Sequence, residues 1–141
     1  MSLNLTLHYD IDGTDFSLAG QASSGLKKVL KQLGVAPEVI RKAAISMYEG
    51  EINTVIHGKG GTADVEITAE KLTIVFQDNG PGIRDIEQAM QEGFSTATNE
   101  ARELGFGAGM GLPNMKKYSD SLNITSRVGE GTKVEIIIHL I

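Results

Sequence analysis

The chain has 141 residues, 40 % of them hydrophobic, with 18 acidic and 13 basic side chains and no cysteine. This composition argues against a disordered chain, and it excludes a disulfide framework, a thiolate metal site and a thiol nucleophile. A net charge of −5 without a basic stripe argues against nucleic-acid binding.

Residues 3–11 alternate, with Leu3, Leu5, Leu7 and Tyr9 on one side, and predict a half-buried strand. Asp12-Gly13 is a turn signal. From Asp15 to Leu33 the spacing becomes helical, through Phe16, Ala19, Ala22, Leu26, Val29, Leu30 and Leu33, and Gly34 reads as the stop. Pro37 fits the first turn of a second helix ending near His57. Gly58 to Gly61 read as a loop. Strands over 62–69 and 71–78 follow, too closely linked for a crossover, and so pair as an antiparallel hairpin. Residues 79–109 read as irregular apart from a helical stretch from Ile86 to Met90. A third helix is expected from Met110 to before Asp120. Two last strands, 121–127 and 132–140, flank the turn Gly129-Glu130-Gly131. Neither a membrane span nor the marks of a signal peptide are present, so one cytoplasmic domain over residues 1–141 is expected.

Four stretches carry chemistry. Glu49 and Asn53 lie four apart on the second helix, hence on one face, which also carries Ile45, Ile52 and Ile56. The opposite side carries Ile40, Ala43, Ala44, Met47 and Val55, so the helix reads as largely buried. A carboxylate and an amide there are costly unless partnered, although backbone bonding would account for them on spacing alone. Asp78-Asn79-Gly80-Pro81-Gly82 ends a strand. A common turn explains it, but an aspartate there can also accept from an exocyclic amine such as that of adenine.

Gly105-Phe106-Gly107-Ala108-Gly109-Met110-Gly111 precedes a helix and reads as a phosphate-binding loop. It lacks the Lys-Ser or Lys-Thr of a Walker A motif, and no strand leads into it as in a Rossmann fingerprint. Gly129-Glu130-Gly131-Thr132 alone is a hairpin turn. Glycine totals 17 of 141 residues, about 12 % against an ordinary value of roughly 7 %. Eight of the 17 fall in these last three stretches.

Together, in order and spacing, the four stretches resemble the ATP-binding domain shared by DNA gyrase, the Hsp90 chaperone, histidine kinases and the mismatch-repair protein MutL. The resemblance covers about residues 37–140. It implies an α/β (α+β) two-layer sandwich, the Bergerat fold, with a mixed, mainly antiparallel sheet and helices on one face. Within the superfamily the chain is similar to small bacterial anti-sigma factors and switch kinases that phosphorylate serine or threonine. The stretch Asp78 to Asp120, with Glu92-Gly93-Phe94-Ser95-Thr96 and Gly109 to Lys117, carries that similarity. Gly50 and Glu51 depart from the family's usual small apolar filler.

The resemblance implies a role for each matching position. Asp78 would accept from the adenine amine, and Thr132 would support a water there. Gly80, Gly82 and Ile83 would form the first glycine box. Gly105, Gly107, Ala108, Gly109, Met110 and Gly111 would close on the phosphates within a lid over about 84–111. Asn53 would bind Mg2+ beside ATP, and Glu49 would be the general base.

Two functions follow: a serine/threonine protein kinase acting on a small regulatory, anti-anti-sigma-like protein, or a non-catalytic ATP-dependent switch sequestering a partner such as a sigma factor. Glu49 favours the first. A histidine-kinase catalytic domain fits poorly because the phosphoacceptor helical pair is not recognised, and a gyrase-like or MutL-like ATPase would need a further domain. The exposed edge of the first strand would suit a homodimer.

Overall fold

The computed structural model describes residues 4–14, 18–57, 59–83, 90 and 111–140. Its elements are β1 (Asn4–Asp12), α1 (Gln21–Gln32), α2 (Pro37–Ile56), β2 (Gly60–Thr68), β3 (Lys71–Gln77), α3 (Gly111–Lys117), β4 (Ser121–Arg127) and β5 (Gly131–His139). The five strands form one sheet in the order β1-β2-β3-β5-β4. Each described pairing is antiparallel, where the resemblance implies a mixed, mainly antiparallel sheet. β1 is an edge strand, as expected.

Strand alternation gives the sheet two unlike faces. Leu7, Val65, Ile74, Ile136 and Leu122 stand in register across all five strands. With Ile67, Leu72, Phe76 and Ile138 they form the apolar face. On the other face His8 meets Asp64 at 2.6 Å, and Glu66 and Glu135 stand beyond. The helices cover the apolar face. α2 lies centrally, packed between α1 and α3 and against the strands.

α2 begins at Pro37, whose fixed φ suits the first helical position, with Glu38 in the positive first turn. Ile40, Ala43, Met47, Ile52 and Val55 are buried along it, whereas Ala44, Ile45 and Ile56 are only half-buried. Gly50 is required by packing: a Cβ there would sit 2.2 Å from the Phe76 ring.

α1 begins at Gln21, six residues later than its periodicity predicts. Asp15, Phe16 and Ser17 fall outside the described residues, Gly20 adopts φ +102, and residues 18–20 form a turn. Gly20 offers no side chain to cap the helix. Glu51 of α2 does so instead, its Oε2 accepting from the Ala22 N–H at 3.1 Å and its Oε1 from the Ser23 N–H at 3.2 Å. Glu51 is 3 % exposed. Glu51, one of the two residues that depart from the expected pattern, is thus a buried helix cap supplied from a neighbouring helix. Leu33, expected on the apolar stripe, lies beyond the end of α1 and is exposed.

Two smaller boundaries also shift. Gly60 and Gly61 belong to β2 rather than to a loop, pairing with Asp12 and Ile11. The third helix starts at Gly111 and ends at Lys117. The helical stretch expected from Ile86 to Met90 lies outside the described residues, except Met90.

Candidate functional site

The site lies where the C-terminal half of α2, the end of β3 and the β4–β5 turn meet. Asp78 leaves β3 half-buried. Its N–H donates to the Thr132 carbonyl at 3.0 Å, and its Oδ1 accepts from the N–H groups of Gly80 at 2.8 Å and Thr132 at 3.2 Å. Oδ2 has no hydrogen bond among the described residues. One carboxylate oxygen is therefore spent on shaping the turn, and the other is open to accept from a ligand amine.

The first glycine box and the Gly129-Glu130-Gly131-Thr132 turn, the third glycine box of the resemblance, are bound to each other through backbone. Gly131 has φ +111, and a Cβ on it would lie 2.1 Å from the Asp78 carbonyl oxygen. Gly82 has φ +79 and packs as closely on the Arg127 carbonyl. Only glycine tolerates both the conformation and the contact. The Gly129 N–H donates to the Pro81 carbonyl at 2.8 Å. Part of the local glycine excess thus serves to fit these loops together.

Ser126 ties the same loops through its side chain, and sequence reasoning missed it. Its Oγ accepts from the Ile83 N–H at 2.6 Å, donates to the Gly131 carbonyl at 3.1 Å and lies 2.8 Å from Thr132 Oγ1. Thr132 is buried. The available signal was position: 126 continues the inward-facing series of Leu122 and Ile124, where a serine needs a partner.

Glu49 and Asn53 stand half-buried on α2, one turn apart. Burial pushes the Glu49 carboxyl above its ordinary range, and a hydrogen bond from Asn114 works against that shift. The bond runs from Asn114 Nδ2, on α3, to Glu49 Oε1 at 3.3 Å. Sequence reasoning passed over this partner because the two residues are 65 apart. The Asn53 amide has no hydrogen bond among the described residues.

His57, read from sequence as a helix-end residue, lies close enough to Asp78 to feel its charge. Burial holds its imidazole below the usual range, and Asp78 opposes that effect.

The donor set bears on Mg2+. No group of three or more His, Asp or Glu side chains that could hold a metal occurs among the described residues. Asn53 offers a single hard oxygen, which fits an ion that also takes oxygens from phosphates and water. Gly105, Gly107, Ala108, Gly109, Met110 and all of the expected lid except Met90 and Gly111 lie outside the described residues.

Residues 46–141 match the family described as histidine kinase-, DNA gyrase B-, and HSP90-like ATPase. The chain belongs to that family. It is 31 % identical over 115 residues to the serine/threonine-protein kinase RsbT of Bacillus subtilis, covering 79 % of this chain and 80 % of that one. It is 37 % identical over 114 residues to the anti-sigma F factor of a Thermoanaerobacter species, covering 77 % and 76 %. A crystal structure of the RsbU and RsbW domains of a Mycobacterium tuberculosis protein superposes with a TM-score of 0.67 at 18 % identity. That match covers 96 % of this chain and 32 % of the other, and it supports the fold alone. The reading as an ATP-binding regulatory protein of the anti-sigma factor and switch-kinase type is borne out. No helix among the described residues is long and apolar enough to cross a membrane.

Proposed function

We propose that this protein transfers the γ-phosphoryl group of ATP to a serine or threonine hydroxyl of a small regulatory protein. The observation that carries the proposal is Glu49: a half-buried carboxylate on α2, raised in basicity by burial and oriented by Asn114. A module that only bound nucleotide would not need that group, which is costly to bury. The names of the relatives, a serine/threonine kinase and anti-sigma F factors, support the same reading.

In this proposal Asp78 Oδ2 accepts from the adenine amine while Oδ1 holds the turn. Thr132 sits behind Asp78, where its hydroxyl supports a bridging water. Asn53 would hold Mg2+ by its amide oxygen, and the ion would offset charge on the phosphates. Gly105 to Gly111 are assigned to the phosphates on the family resemblance. Glu49 accepts the proton of the attacking hydroxyl. The hydroxyl oxygen bonds to the γ-phosphorus, the bond to the β–γ bridging oxygen breaks, and ADP leaves.

The test is phosphate transfer from labelled ATP to proteins co-purified from the source cell. Phosphoserine or phosphothreonine on one protein is the expected result, lost in Glu49→Gln while ATP binding persists. ATP binding with no transfer to any co-purified protein would instead mark the chain as a sequestering switch.

A further inference from the structure

A groove of about 600 Å³ runs between α1 and α2, and none of the described residues lining it is assigned to the nucleotide. Val35, Pro37, Ala44 and Ile45 contribute apolar surface to it, and Ile40 lines it while almost fully buried. Lys27 and Lys31 of α1 and Arg41 of α2 line it as well, and no acidic side chain does among the described residues. All three cations are exposed. None has an ion-pair partner among the described residues. In a chain of net charge −5 this is a local reversal of sign around an apolar floor.

The geometry limits what fits. Lys27 and Lys31 are four apart, so their Cα atoms stand about 6 Å apart along the α1 axis. Carboxylates recurring once per turn on a second helix have the same spacing. Arg41 offers a planar donor fork from the other helix. Lysine stems can lie along an apolar surface while their ammonium groups remain in water. Two helices with apolar residues between them and charge at the rim form a common seat for a third, amphipathic helix.

We infer that the groove between α1 and α2 is a docking site for an acidic amphipathic helix of a partner protein. The apolar stripe of that helix rests on Val35 and Ile45, and its carboxylates face Lys27, Lys31 and Arg41. Ile45 is one helical turn before Glu49 on α2, so a docked protein stands near the proposed base. The docking itself does not depend on phosphotransfer.

The test titrates the full-length 15N-labelled protein with a short synthetic helix carrying a leucine stripe flanked by glutamates. Saturable amide shifts are expected at Lys27, Lys31, Val35, Arg41 and Ile45, weakened by added salt. A matched helix with lysine in place of glutamate should leave them unmoved. The double variant Lys27→Glu with Lys31→Glu should bind the acidic helix about tenfold or more weakly, with unchanged melting temperature and ATP affinity. Shifts located elsewhere, equal binding of the two helices, or an unweakened double variant would overturn the inference. So would binding to phosphatidylglycerol vesicles without any response to the acidic helix, which would make the groove a lipid-facing surface. Loss of ATP binding alongside intact docking would overturn the nucleotide assignment and leave this one standing.

Discussion

Asn114 Nδ2 donates to Glu49 Oε1 at 3.3 Å, joining α3 to the carboxylate on α2. A donor to a carboxylate favours its ionised form, whereas burial of the same group disfavours it. Both effects act on Glu49, with burial the larger and its carboxyl raised on balance. In Asn114→Leu only the burial effect remains. The carboxyl then rises further, and a base that works ionised loses activity at a higher pH than in the parent. The pH dependence of phosphate transfer checks this. An acid limb at the same pH in both proteins would separate Asn114 from the function of Glu49.

Asp78→Asn separates the two oxygens of Asp78. The variant keeps an acceptor at Oδ1 for the N–H groups of Gly80 and Thr132, so the turn holds and stability changes by less than about 0.5 kcal/mol. In place of Oδ2 it presents an NH2 group, which cannot accept from an amine. A lost charge-assisted hydrogen bond of roughly 1.5–3 kcal/mol corresponds to about 10- to 100-fold weaker ATP binding. Isothermal calorimetry measures it, and unchanged affinity would remove Asp78 from the adenine site.

Glu51→Ala removes the cap that α2 provides for α1. Two buried N–H groups, those of Ala22 and Ser23, lose their acceptor. Caps contribute about 1 kcal/mol, and buried donors left without a partner cost roughly 1–3 kcal/mol. Urea unfolding of the variant should show a loss of about 2–4 kcal/mol. Glu51→Gln retains one acceptor oxygen and should lose less. An alanine variant as stable as the parent would mean that α1 is held by its apolar face alone.

Asp120 carries an acid-dependent part of the stability. It accepts from the His139 N–H at 2.7 Å and from Lys42 Nζ at 3.4 Å. The backbone donor first, and Lys42 second, hold its carboxyl below the ordinary range. A depressed carboxylate stabilises the fold above its unfolded-state value, and that contribution disappears as pH falls through the folded one. Asp120→Asn should therefore be less stable than the parent at neutral pH, with the gap closing in acid. Thermal melts across that range test the sign, and a gap that widened in acid would contradict it.

Much of the fold is legible in the sequence. Alternation from Leu5 to Ile11 marked β1, and Pro37 with the apolar spacing behind it marked α2 to within one residue. These signals are local, since each records how one element turns its apolar side to a common core. α1 was misread at its start because Phe16 and Ala19 extend the helical period past Gly20, where the backbone turns left-handed. The glycine boxes were visible as a cluster of residues, but their spatial relation was not.

The sequence by itself determined the order of the elements, the family, and which residue types crowd the candidate site. Periodicity and motif spacing are properties of neighbouring residues and survive without a fold. Tertiary structure alone decided that Asn114 reaches Glu49, that Ser126 binds the first glycine box to the third, and that Glu51 caps a helix 28 and 29 residues before it. Those pairings depend on how the described helices stack over the sheet, and hydrogen bonds across such distances leave no period in the chain. The same stacking brings Lys27, Lys31 and Arg41 around one apolar floor, so that an acidic protein presents a basic groove.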